Sequence, residues 1–153
     1  MQRALFTEEE VRLASERRLK YQGSAKVSIN DIEFDPPLPR DLDSRNLDRI
    51  CQIFRKNRCR RLDVENRIPV IVARNDLSTA LEQAEVTAGA LMTKSAEHLP
   101  SLRFPSGKLR GLHGRHRAQA GSMVLAPIDR WWAVDLYFDG LTAALFYSRS
   151  DEN

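Results

Sequence analysis

Residues 68–72 read Ile-Pro-Val-Ile-Val, an unbroken apolar run in which four of the five side chains are β-branched. Successive strand residues point to opposite faces, so a strand with no polar position has to be covered on both sides. The run therefore predicts a central strand of a sheet flanked by helices. Pro69 stands beside the start of the run, where a missing N–H harms the ladder least.

The remaining patterns supply partners for that strand. Thr7 and Glu10 are spaced as a capping box and open a helix reaching about Lys20. That helix carries few large apolar residues, which predicts peripheral packing, and Gly23-Ser24 ends it. Lys26–Phe34 alternates Val27, Ile29 and then Ile32, Phe34, a strand interrupted by a bulge or turn at Asn30-Asp31. DPPLPR follows, with three prolines in four positions enforcing an extended crossing. Asp43 or Ser44 then caps a helix whose Leu47, Ile50, Cys51 and Phe54 form one buried stripe. A further helix is predicted from about Asp76 to Thr93, burying Leu77, Leu81, Ala84, Ala88, Leu91 and Met92. Phe104–Lys108 reads as a hairpin turn, with Leu109–Leu112 returning. A short helix begins after Gly114. A last strand spans Trp131–Phe138, with Trp132, Val134, Leu136 and Phe138 in the core and Trp131, Ala133, Asp135 and Tyr137 on the other side. LTAALFYS, residues 141–148, predicts a short helix over a sheet edge.

At 153 residues the chain fits one domain. The expected organisation is a helical extension over 1–25, an α/β domain over 26–148 with an inserted helix at about 76–94, and a frayed tail over 149–153. Hydrophobic residues make up 42% and charged residues 29%, a globular rather than a disordered balance. There is no apolar run of about 18 residues, the length that spans a bilayer. The N-terminus turns acidic where a signal peptide carries its apolar stretch, which predicts an intracellular protein, cytoplasmic or nuclear. Cys51 and Cys59 read as two reduced thiols rather than a disulfide framework.

Chemistry concentrates in Gly114-Arg115-His116-Arg117. Helix N-termini leave backbone N–H groups unpaired and carry partial positive charge. A glycine just before lets an anion approach the backbone, and two arginines and a histidine add charge and directional donors. Basic residues in a first turn oppose the helix dipole, a local conflict that an anion removes. The net charge of +3, from 24 basic and 21 acidic residues, permits a polyanionic partner. Within it Arg55, Lys56, Arg58, Arg60 and Arg61 cluster in FRKNRCRR, which reads either as a solvated helix end or as a docking patch for phosphates.

The stretch GKLRGLHGRHRAQAG resembles the ParB/sulfiredoxin superfamily pattern, a strand leading into Gly-x-x-Arg at a helix start. The order of elements agrees: KVSINDIEFDPPLPRDLDSRNLDRICQIF resembles the family opening, IPVIV its central strand and WWAVDLYFDGL its closing strand. NRIPVIV, LHGRHRAQA and DRWWAVDLY also resemble a fungal family of unassigned function that carries this domain and whose genes travel on giant mobile elements. Members of that family are usually much longer, so the resemblance implies a solitary domain or a truncated copy.

The resemblance implies a small mixed sheet flanked by helices and a turn that binds nucleotide phosphates, CTP in one branch and ATP in the other, with magnesium accompanying a triphosphate. Gly114 would approach the phosphate and Arg117 would bind it, with Arg115 and His116 adding charge. Arg49, Asn66 and Arg67 occupy regions where further contacts are expected. Sulfiredoxins need a cysteine at the position of Arg115, so the resemblance does not extend to sulfinic acid reduction.

The expected function is a nucleotide- or phosphate-binding domain, acting as a nucleotide-gated switch or a weak NTPase. One rival is a DNA-binding module that uses the basic patch, with Trp131 and Tyr137 as stacking surfaces. A metal-dependent nuclease needs clustered carboxylates, and Asp135 is the best single candidate. A protein-interaction module that has lost its ligand is the third. His113 and His116 are three apart, but Gly114 lies between them and no third ligand presents itself, so no metal site is predicted.

Overall fold

The computed structural model describes residues 8–34, 43–57 and 59–139. They form a mixed α/β fold, a six-stranded sheet with four α-helices. In chain order the elements are α1 (Glu8–Lys20), β1 (Tyr21–Ser28), β2 (Ile32–Phe34), α2 (Ser44–Asn57), β3 (Ile68–Val72), α3 (Arg74–Ala84), β4 (Ser101–Leu102), β5 (Leu109–Gly111), α4 (Arg115–Val124) and β6 (Trp131–Phe138). The expected capping Thr7, the proline-rich crossing and the helix over 141–148 lie outside the described residues. Among the described residues no helix is long and apolar enough to cross a membrane.

The strand order is β2-β5-β3-β6-β1-β4. β3 runs parallel to β6 and antiparallel to β5, so it is interior. All five of its residues are buried, as a strand covered on both faces requires. β1 and β2 stand four places apart in the order, yet only residues 29–31 separate them. Four flat strand spacings amount to about 19 Å, whereas the link from Ser28 to Ile32 reaches at most about 14 Å. The sheet curls to bring its ends together.

Both faces of the sheet are apolar in part. Ile68, Val70 and Val72 share one face with Ala25, Val27, Trp132, Val134 and Leu136, and this is the main core. Phe54 of α2 lies 5.5 Å from the Trp132 ring, centroid to centroid. Gly121 of α4 sits so close that a Cβ there would come within 3.0 Å of Trp132 Cζ3. α2 and α4 thus cover one indole together. On the opposite face Ile71 and Tyr137 are buried, with Tyr21 and Leu112 packed against them. Tyr137 points away from the main core, as expected, but this second face is covered too, so Tyr137 is buried rather than exposed. α1 is peripheral, with Val11 and Leu19 exposed.

Three further expectations change. Gly23-Ser24 does not end a helix with a loop; α1 stops at Lys20 and β1 begins at Tyr21. Gly23 has φ +117 at a register shift in β1, and a Cβ there would fall 2.5 Å from Leu91 Cβ. The helix expected over Asp76–Thr93 ends at Ala84, because Glu85 turns left-handed at φ 58; a separate 3₁₀ turn, Ala88–Met92, then carries Leu91 onto Gly23. Met92 and Ala88, expected in the core, are exposed. The Phe104–Lys108 turn is not a hairpin. β4 pairs with β1 at one edge and β5 lies between β2 and β3. The buried Asp31 holds the outgoing chain, accepting hydrogen bonds from Arg103 Nε at 3.0 Å and Phe104 N at 3.1 Å.

Candidate phosphate-binding turn

β5 passes through Leu112, whose N–H donates to Pro69 O at 3.0 Å, into His113 and Gly114. Gly114 is left-handed at φ 92 and caps α4, a ten-residue helix with no acid in its first turn. Ile68 packs directly against the glycine, where a Cβ would come 2.9 Å from Ile68 Cγ1. The Gly114 carbonyl accepts the first helical bond, from Ala118 N at 3.0 Å. A helix N-terminus with basic side chains therefore emerges from a backbone conformation that glycine adopts at least cost.

The three side chains of the first turn have different duties. Arg117 Nη1 donates to Asn66 O at 2.8 Å, with Arg67 O at 3.5 Å. Asn66 O also accepts Trp132 Nε1 at 2.8 Å, so Arg117 ties the helix start to the core indole through one carbonyl. His116 Nε2 accepts the backbone N–H of Asp43 at 3.0 Å. Burial lowers the His116 pKa, and Arg115 adds to that while Asp43 opposes it. A ring nitrogen accepting an amide proton is unprotonated, which fixes the neutral tautomer with the proton on Nδ1. Arg115 is half-buried.

The start of α2 meets the turn through that contact. Asp43 Oδ1 accepts from Arg45 N at 3.0 Å and caps α2, while the Asp43 N–H reaches His116. Two helix N-termini therefore converge, and their dipoles add positive potential on the same side. Of the expected contacts, Asn66 and Arg67 lie at the turn, both through their carbonyls. Among the described residues no contact brings Arg49 there. It is exposed and its Nη2 donates to Asn46 Oδ1 at 2.7 Å on its own helix.

A polar cluster lies beside the turn on the second face of the sheet. Arg67 Nε donates to Leu62 O at 3.1 Å, and its Nη1 lies 3.3 Å from Ser24 Oγ and 4.0 Å from Asp135 Oδ1. Ser24, almost completely buried, donates to Asp135 Oδ1 at 2.6 Å, so Tyr21 donates its hydroxyl to Ser24 at 2.8 Å. Burial raises the Asp135 pKa against the pull of Ser24, Arg67 and Arg17. His113 is pushed down to about 4 by burial, then by Arg117 and Arg17, so it is neutral at neutral pH. Asp135 stands alone among cations and hydroxyls rather than with other carboxylates. Among the described residues no three His, Cys, Asp or Glu side chains group to hold a metal ion. Sequence reasoning did not find Ser24 or Tyr21, because cross-strand pairing places Ser24 opposite Asp135 across 111 residues.

The basic patch is divided. Arg55 and Lys56 are exposed on the last turn of α2, and Arg60 is exposed at φ 47 with Asp63 4.0 Å away. Arg58 lies outside the described residues. Arg61 is committed to the fold: its guanidinium lies 3.5 Å from the Trp131 ring centroid, and Nη1 donates to Asp129 O. Burial lowers its pKa. Arg61 thus lies over the half-buried Trp131 ring, and Tyr137 is buried, so Tyr137 does not offer the expected base-stacking surface. Cys51 and Cys59 are free and buried, and burial pushes the Cys59 thiol up.

An open cleft of about 330 Å³ lies elsewhere, at the C-terminal ends of β3 and β6, lined by Lys20, Ala73, Arg74, Asn75, Phe138 and Asp139. None of the expected site residues line it. The cleft holds the start of α3 with Lys20 and Arg74, whereas the left-handed glycine and the paired starts of α2 and α4 lie at the turn.

Fold and turn together define a small mixed α/β domain with a glycine-capped, basic helix start. The chain belongs to the family described as protein of unknown function (DUF3723) N-terminal domain, which it matches over residues 20–152. That match begins where α1 gives way to β1. No curated protein and no solved structure matches the chain.

Proposed function

We propose that the domain binds the phosphate groups of a nucleotide at the start of α4 and acts as a nucleotide-gated switch. The observation that carries this reading is the left-handed Gly114 at the head of a helix whose first turn is Arg-His-Arg, met by the start of α2 at His116. Backbone N–H groups of the first turn would cradle the anion, with the Arg115 guanidinium adding charge beside them. Arg117 would contribute charge from a fixed position, since one of its nitrogens is committed to the Asn66 carbonyl. Resemblance to CTP- and ATP-binding relatives of the ParB/sulfiredoxin superfamily supports a nucleoside triphosphate. The described side chains do not make a resident metal site, so magnesium enters only as the ion a triphosphate brings with it. The reading is of a binder.

The test is a calorimetric titration of CTP, ATP and GTP with magnesium against wild type, Arg115→Ala and Arg117→Ala. Arg115→Ala is expected to weaken binding by about tenfold or more, as loss of one charge-assisted contact does. Arg117→Ala is expected to lower stability as well, because it strips a donor from the Asn66 carbonyl. No binding of any nucleotide at millimolar concentration overturns the reading. Binding of short duplex DNA that is lost on reversing Arg55, Lys56 and Arg60 would move the function to the basic patch.

A further inference from the structure

His116 joins the two helix starts through one hydrogen bond, and the chemistry of that bond makes it conditional. The Asp43 N–H is the donor and Nε2 the acceptor, at 3.0 Å. Nε2 is also the nitrogen that takes the proton when a neutral Nδ1–H imidazole ionises. Once protonated it offers a second donor to the Asp43 donor, and the bond cannot form.

We infer that His116 is a proton-operated latch: neutral, it holds the Asp43 amide and the start of α2 against α4; protonated, it releases them. Among the described residues, charged groups act on the ring from both sides. Asp43 favours the imidazolium from the α2 side, and Arg115 opposes it from its own helix. The first two turns of α2 also carry Arg45, Asp48 and Arg49, the last tied to Asn46.

Release engages the Asp43 side chain as well. That carboxylate caps α2 through Arg45 N, and an imidazolium beside it competes for the same oxygen. A proton on His116 therefore removes the Asp43 N–H contact and draws on the α2 cap together. The ligand arm rests on the phosphate reading. An anion at the turn stabilises the imidazolium, so its binding drives the release at a higher pH, and by linkage the anion binds more tightly as pH falls. The latch itself needs no ligand.

The experiment is amide protection and chemical shift at Asp43 by NMR on the whole chain, between about pH 7.5 and 5, the range in which histidines ordinarily ionise. Wild type and His116→Gln are compared, since a glutamine carbonyl accepts the same N–H but does not titrate. In wild type the protection factor should fall about five- to tenfold with the His116 titration, the equivalent of one lost hydrogen bond. In H116Q it should stay level. Constant wild-type protection while His116 titrates, or an equal fall in H116Q, overturns the latch. Inorganic phosphate should then raise the midpoint of release. Phosphate that binds without moving the midpoint overturns the coupling. A latch that titrates while phosphate does not bind leaves the latch standing and removes the phosphate reading.

Discussion

Gly107 and Gly114 both have left-handed backbone, at φ +81 and +92, and differ in what a methyl group would meet. At Gly107 a Cβ would touch only the end of the Glu33 side chain, 3.5 Å away. At Gly114 it would press to 2.9 Å on Cγ1 of Ile68, which is fully buried between strands. Gly107→Ala should therefore cost the backbone strain alone, about 1–2 kcal/mol. Gly114→Ala adds overpacking against a side chain that cannot move aside, for a total of about 2–5 kcal/mol. Urea unfolding of the two variants decides this, and equal losses would mean that the Ile68 contact does not hold the turn. The sequence made a special glycine legible, because Gly stands directly before a basic helix start. Its contact with Ile68 was not legible, since it depends on β3 running beside the turn. Arg117 divides the same way: its charge can be read from the sequence, but its direction, toward the Asn66 carbonyl, is set by the fold.

At the scale of elements, β3 and β6 were legible to the residue because period and composition act locally. The helix over Asp76–Thr93 was read too long for an equally physical reason. Its apolar positions continue at helical spacing past Ala84, but they serve two elements, α3 and the 3₁₀ turn that delivers Leu91 to Gly23. The break falls at Glu85, a non-glycine residue at φ 58, ψ 39, whose N–H donates back to Leu81 O and Glu82 O. Such a C-terminal position strongly favours glycine. Replacing Glu85 by glycine should stabilise the domain by about 0.5–1 kcal/mol, the left-handed strain relieved less the added freedom of the unfolded chain. The measurement is a higher urea midpoint with an unchanged slope. A lower midpoint would show that the Glu85 side chain contributes something its backbone geometry does not reveal. The hairpin misreading has a different origin. A turn at Pro105–Lys108 does form, but the buried Asp31 holds Arg103 and Phe104 and sends the chain across the sheet, a contact spanning more than 70 residues.

For the whole molecule, a mixed α/β fold followed from the alternation of strand and helix patterns, whereas the curl of the sheet came only from the short link between two strands at distant places in its order. That packing sets the response to acid. Burial and two arginines hold His113 down at about 4, from an ordinary value of 6.5. Between those values the unfolded chain binds a proton at this position that the folded chain refuses. Unfolding is therefore favoured as pH falls, and the His113 contribution is fully present above about 6.5 and lost toward 4. His116, also lowered, acts in the same direction. Asp135 has the opposite sign. Its folded pKa lies above the ordinary 3.8, so it favours the folded state at acid pH and loses that contribution as pH rises through the raised value. Wild-type melting temperature should thus decline from pH 7 toward 4.5, and His113→Asn, which cannot take up the proton, should decline less steeply. The comparison is of slopes, so any constant penalty of the substitution drops out. Parallel slopes for wild type and variant would place the acid sensitivity outside His113, and His113→Asn combined with His116→Gln would then show whether it lies at the turn at all.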